Sequence, residues 1–296
     1  MIAIIGAGAV GTTTAYALML KNIPANITLI DSNETRCAGE IMDLSDAVPL
    51  CAGGTQIGAG GMTDAQQADI IIIACGKRQE PGQSRTELLE ANKAMLATLI
   101  EQMKPFKKAA LIIMVTNPLD ILTYHAQQLS GLPHSHVFGT GTFLDSLRMK
   151  ELLAHKLQIH ASSIHAYVIG EHGDNQIPAW STAEIGGKPL RAFTQITPDD
   201  LDVIAEKAKN KAYEIIARKG STFYGIATCI ATLCRIIIGD EKQIIPLSCY
   251  IESRGVYLSM PVVLGAHGIE HIIQLPLDER EKQQLDTCAR ELKKLL

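Results

Sequence analysis

The sequence predicts an α/β chain, with a doubly wound, mainly parallel sheet in its first half and an α+β arrangement in its second. Three observations carry this. The first-half strands are short, continuous apolar runs such as Ile70-Ile71-Ile72-Ile73, the pattern of a sheet covered on both faces. Helix-like segments alternate with them. Beyond residue 139 the pattern changes to long helices and to adjoining strands at 247–251 and 256–264 that read as antiparallel. With 296 residues there is room for two domains, expected at 1–138 and 139–296.

Met1 to Ile5 is the first strand, and Gly6-Ala7-Gly8-Ala9-Val10-Gly11 follows at once. Thr12 to Leu20 is helix-like, and Ile27 to Ile30 is a second strand ending in Asp31, twenty residues past the last glycine. Strand, glycine turn, helix, strand and acid in this order form the dinucleotide fingerprint of a Rossmann domain. Gly6 allows the tight turn, Gly8 lets the backbone approach a pyrophosphate, and Gly11 lets helix and strand pack closely. The helix N-terminus then presents unpaired N–H groups to the phosphates. Asp31 can accept both ribose hydroxyls, and its charge would repel a 2′-phosphate, so NAD is expected rather than NADP. A glycine turn in some other α/β protein is the plainer alternative.

Composition narrows the rest. Apolar residues make up 47%, enough for a sizeable core, and the net charge of −4 gives no basic surface for nucleic acid. The seven cysteines are scattered, with no CxxC pair, so neither a disulfide framework nor a zinc site is expected. The expected setting is a reducing, cytoplasmic one. Residue 2 already opens an apolar strand, so no leader is expected ahead of it, and no apolar run approaches the ~20 residues of a membrane span.

Thr35 to Leu44 reads as a helix and Asp69 to Cys75 as a buried strand closed by Gly76. The polar stretch from Lys77 to Arg85, with Pro81-Gly82 in its middle, reads as a lid over the strand ends, followed by a helix from about Ser84 through Met103. Arg85, where lid meets helix, is its strongest candidate for reaching a substrate; a solvated loop is the alternative. Ala109 to Val115 is the next strand. Pro118 restricts Asn117 to an extended shape, so its amide can face a nicotinamide ribose or a substrate oxygen. Alternatively, Asn117 forms an Asx turn that caps the helix Ile121 to Gln128. Val137-Phe138 completes the first half.

In the second half, a helix opening near Gly141 carries Asp145 and Arg148, three apart and so on one face. In isolation they would be a surface ion pair worth little. The run from Ile164 to Ile169 reads as one strand and delivers Gly170-Glu171-His172-Gly173-Asp174 to a cleft. A histidine there can give or take a proton near neutrality. Asp145 can hold its tautomer, and Arg148 can grip a carboxylate with its fork. A turn histidine without chemistry is the alternative. Helices are expected at 198–218, 223–238 and 277–296, with Thr222 at the junction of the first two and a turn at 265–268.

Five motifs appear in order: GAGAVG with Asp31, RQEPGQSR at 78–85, TNPLDILTY at 116–124, GTFLDSLR at 141–148 and IGEHGD at 169–174. On these the chain resembles the L-lactate/malate dehydrogenase family from end to end, and the L-lactate members of bacterial type most. The resemblance implies reversible hydride transfer between NADH and a 2-oxo acid. It implies His172 as proton donor and acceptor, Asp145 as its partner, Arg148 on the substrate carboxylate, Arg85 on the ketone oxygen and Asn117 touching that oxygen. Gln79 stands where malate enzymes of this type carry arginine, and Thr222 where they carry a smaller residue. Both point to pyruvate. Malate, with Arg78 beside Gln79 as the cation, or a broader range of 2-hydroxy acids is the alternative. The resemblance also implies a homo-oligomer, dimer or tetramer. Some bacterial members bind fructose 1,6-bisphosphate through an arginine and a histidine; Lys150 and His165 stand at those places, though His165 reads rather as an ordinary partly buried strand histidine.

Overall fold

A computed structural model describes residues 1–77 and 85–296, Arg85 by its backbone alone. The first half is the wound sheet. Its strands are β1 (Ile2–Ile5), β2 (Asn26–Ile30), β3 (Gln56–Ala59), β4 (Ile70–Ile73), β5 (Leu111–Met114) and β6 (Val137–Gly139). They pair in parallel in the order β3-β2-β1-β4-β5-β6. Between them run α1 (Ala9–Leu20), α2 (Glu34–Ala47), α3 (Arg85–Met103) and α4 (Leu119–Ser130). All four residues of β1, of β4 and of β5 are buried, which is why these strands read as unbroken apolar runs. The winding direction reverses between β1 and β4, and that opens a crevice at their carboxyl ends.

The second half comprises α5 (Phe143–Leu157), β7 (Ile164–His165), β8 (Val168–Gly170), β9 (Gln176–Pro178), β10 (Glu184–Ile185), β11 (Lys188–Pro189), α6 (Pro198–Lys219), α7 (Tyr224–Ile238), β12 (Gln243–Ile251), β13 (Val256–Gly265), β14 (Gly268–Ile272) and α8 (Glu279–Lys293). β12 and β13 form a long antiparallel ladder, and β12 joins the first half through Ser248 opposite Gly139. The main sheet therefore runs on through β12, β13, β8 and β9. The expected turn at 265–268 is the bend of a hairpin whose second strand, β14, the sequence reading did not include.

One expected element divides. The run Ile164 to Ile169 is two strands: β7 pairs with β10 in a separate three-stranded sheet, while β8 belongs to the main sheet. The break is held by helix α5. Ser146 Oγ accepts the Val168 N–H at 2.8 Å, and Thr142 Oγ1 donates to the Val168 carbonyl at 2.5 Å. His165, on β7, is exposed and not partly buried.

Local signals set several helix ends. Asn33 caps α2 by accepting the Arg36 N–H at 3.0 Å. Thr197 and Asp200 form a capping box on α6, as do Asp278 and Glu281 on α8. A large core surrounds the main sheet, and a second lies under α5 and α6, around Met149, Leu153, Val168 and Ile204.

Candidate active site

The glycine turn occupies the crevice. Gly6 has φ +110°, and a side chain there would stand 2.9 Å from Cys75 beyond β4. At Gly11 a Cβ would lie 1.9 Å from the Gly6 carbonyl oxygen, so the helix can pack against the turn only without one. Gly8 is the opposite case: among the described residues nothing lies within 4 Å of where its Cβ would be. Gly8 is also the N-cap of α1, and among the described residues no side-chain cap bond is made there. Its first amides are thus left to a ligand beside open backbone, which suits a pyrophosphate. Asp31 is half-buried at the end of β2; it accepts the Ala7 N–H at 2.7 Å and the Asn33 N–H at 2.9 Å. These bonds hold the carboxylate against the glycine turn and leave it lone pairs for ribose hydroxyls. The residues fit a dinucleotide.

In the second half, β8 ends at Gly170, whose φ of +85° turns the chain into the loop that carries His172. His172 Nδ1 lies 2.7 Å from Asp145 Oδ2, and Arg148 Nη1 donates to the other Asp145 oxygen at 3.1 Å. The Asp145 and Arg148 side chains are only 4% and 8% exposed, whereas His172 is 28% exposed. This is no surface pair; it is a buried chain that ends on a partly open imidazole. Burial works against the imidazolium. The Asp145 hydrogen bond and charge, with the charge of Asp120, outweigh it and hold the His172 pKa above its ordinary value. Burial likewise opposes Asp145 ionisation, but His172 and Arg148 prevail and lower its pKa. With Nδ1 engaged, Nε2 is the nitrogen left for a substrate.

The sequence reading passed over several residues that hold this arrangement. Asp120, on the first turn of α4, accepts the His172 backbone N–H at 2.8 Å and the Ser248 hydroxyl at 2.6 Å. Cys288 of α8 accepts the neighbouring Glu171 N–H at 3.2 Å. Thr142 and Ser146, either side of Asp145, clasp Val168 as described, so the helix that carries the aspartate also sets the strand that carries the histidine. The polar residues at 142, 145 and 146 on one helix were the available signal, but nothing in the chain marks their partners.

Asn117 is exposed at the carboxyl end of β5. Pro118, not Asn117, is the N-cap of α4, and among the described residues no side-chain cap bond is made there, so the Asx-cap alternative does not hold. The buried Asn92 of α3 donates to the Asn117 carbonyl at 3.3 Å and accepts the Lys77 N–H at 2.9 Å. Thr222 lies half-buried just before α7. That helix begins against Leu144 of α5, the side chain next to Asp145 in sequence. Arg85 is the first residue of α3, and its side chain lies outside the described residues, as do Arg78, Gln79 and the rest of the expected lid through Ser84; only Lys77 of it is described. Of the expected residues the structure therefore brings together His172, Asp145 and Arg148, and separately Gly6, Gly8, Gly11 and Asp31.

Comparison with known proteins gives one answer. The NAD-binding domain of lactate/malate dehydrogenases matches residues 1–139, and their alpha/beta C-terminal domain matches residues 142–296. The chain is similar to L-lactate dehydrogenase A of Rhizopus oryzae, 44% identical over 99% of this chain and 91% of that protein. It is 38% identical to an L-lactate dehydrogenase of Geobacillus thermodenitrificans over 100% and 96% of the two. Among solved structures, a lactate dehydrogenase from a Medee basin deep-sea metagenome library superposes with a TM-score of 0.96 at 33% identity, covering 100% of this chain and 97% of that one. The minor L-lactate dehydrogenase from Enterococcus mundtii, in ligand-bound form, also gives 0.96, at 34% identity over 99% and 96%. With both halves matched, this protein belongs to the NAD-dependent lactate/malate dehydrogenase family.

Proposed function

We propose that the chain is an L-lactate dehydrogenase that interconverts pyruvate and L-lactate. The observation that carries this is the buried Arg148-Asp145-His172 chain, in a protein whose first half holds a dinucleotide cradle. Bound NADH supplies the hydride that reduces the carbonyl carbon, and NAD takes it back in the reverse direction. The protein's own residues do the remainder. Arg148 binds the substrate carboxylate with the donors not used on Asp145. Protonated His172 gives its Nε2 proton to the oxygen that becomes negative, and Asp145 stabilises the imidazolium until then. Arg85 stabilises the same oxygen, and Asn117 presents its amide beside it. In oxidation neutral His172 takes the hydroxyl proton.

Gln79 and Thr222 line the substrate's methyl side in this reading. Oxaloacetate would bring a second carboxylate to a neutral glutamine, at a cost of several kcal/mol without a cationic partner. The test is kcat/KM with NADH for pyruvate and oxaloacetate on one preparation. A preference for pyruvate of about a hundredfold, roughly 3 kcal/mol, is expected. A preference for oxaloacetate would overturn the reading and give the pocket a cation, with Arg78 the first to examine.

The same reading makes residues 1–138 the cofactor half and 139–296 the catalytic half. It includes a homo-oligomer, supported by exposed apolar side chains on two helices, Met42 on α2 and Val203 and Ile216 on α6. Fructose 1,6-bisphosphate as an effector has thinner support. His165 is exposed, but Lys150 is half-buried with its ammonium 5.5 Å from the Tyr167 ring centre, and burial lowers its pKa.

A further inference from the structure

Behind His172 lies a second carboxylate that the reaction scheme does not use. Asp120 is 3% exposed. It belongs to α4, of the cofactor half, yet both of its described bonds reach the other half: Oδ2 accepts the His172 backbone N–H at 2.8 Å and Oδ1 accepts the Ser248 hydroxyl of β12 at 2.6 Å. We propose that Asp120 is a positioning residue for His172, fixing the backbone of the catalytic loop from α4 and β12 and supplying the imidazolium with a second negative charge. The proposal rests on His172 being the proton donor.

The geometry leaves few other sources for such an effect. Among the described residues, the charged groups acting on the imidazole are Asp145 and Arg148 from α5 and Asp120 from α4, with Glu171 of the loop acting on Asp120. The Arg85 side chain is not among the described residues. The thiols near Asp120, Cys249 of β12 and Cys288 of α8, are both pushed up to about 12 by burial and carry no charge near neutrality. Asp145 already bonds Nδ1, so its removal would change tautomer and charge together. Asp120 touches only the His172 backbone, so its charge can be removed while the ring keeps its partner. Burial raises the Asp120 pKa to about 6, against donation from Ser248 and from the His172 amide. The Ser248 and His172 partners therefore favour the carboxylate against burial, and the ionisation of Asp120 and that of His172 are coupled.

Asp120→Asn is the test, because the asparagine oxygen can still accept from His172 while its amide donates to Ser248 Oγ. The His172 pKa, followed by NMR of the ring in the protein without substrate, should fall by about one unit. At a pH above the unmodified protein's value, kcat/KM for pyruvate reduction should then fall about tenfold, while the plateau at low pH is kept. Ser248→Ala serves as a second variant if the asparagine protein does not fold. Without the hydroxyl the Asp120 carboxylate protonates more readily, so the His172 pKa should shift the same way by less. An unchanged His172 pKa in a folded variant overturns the proposal. A lowered pKa with an unmoved pyruvate profile keeps Asp120 as a source of charge but removes His172 as the proton donor, so the two failures are told apart.

Discussion

At His172 two opposing effects set the charge. Burial favours the neutral ring, whereas Asp145 at 2.7 Å favours the imidazolium and prevails. The sign of the pH dependence follows. In the proposed mechanism pyruvate reduction consumes the protonated ring, so its kcat/KM should hold below the raised His172 pKa and fall about tenfold per pH unit above it. Lactate oxidation needs the neutral ring and should rise through the same interval. Replacing His172 with Asn should cut turnover by about 10²–10⁴-fold in both directions and leave NADH affinity, measured by fluorescence titration, unchanged. Turnover close to that of the unmodified protein would remove His172 from the chemistry. His172 was a candidate from the sequence because glycines and carboxylates surround it locally. Asp120 was not, because its contact with His172 spans 52 residues and that with Ser248 spans 128.

Among the elements, the glycine turn is the clearest case of sequence dictating structure. Its three glycines meet three different demands within six residues, and each demand is visible in the fold: a left-handed φ at Gly6, open space at Gly8, and a close carbonyl at Gly11. Gly11→Ala places a methyl group 1.9 Å from the Gly6 oxygen, so backbone must move. We expect a loss of about 1–3 kcal/mol in unfolding free energy and weaker NADH binding, checked by chemical denaturation and by titration. Unaltered stability would mean that α1 can shift without cost. The segment from Ile164 to Ile169 shows the opposite. Its apolar residues are those of a strand, but Thr142 and Ser146 take the backbone groups of Val168 and divide the run between two sheets. A run of apolar residues specifies burial; it does not specify which neighbour supplies the hydrogen bonds.

For the molecule as a whole, the exposed apolar side chains on α2 and α6 bear on assembly. Met42 is 73% exposed and Val203 51%. A homo-oligomer that covers these helices is expected, and sedimentation of the unmodified protein should give a mass of two or four chains. A single 32.0 kDa species at working concentration would refute it.

The sequence by itself determined the wound sheet, the dinucleotide cradle, the preference for NAD and the order of the site motifs. These depend on neighbours in the chain: apolar runs, turn glycines, and an acid at the end of the next strand. Tertiary structure decided what those motifs do together. It buried Asp145 and Arg148, which the chain alone could leave as a surface pair, and so gave their charges force in a poorly screened interior. It also brought Asp120, Ser248 and Cys288 behind the catalytic loop. Contacts of that kind join side chains from distant elements, and only the packing of those elements brings their atoms within bonding distance.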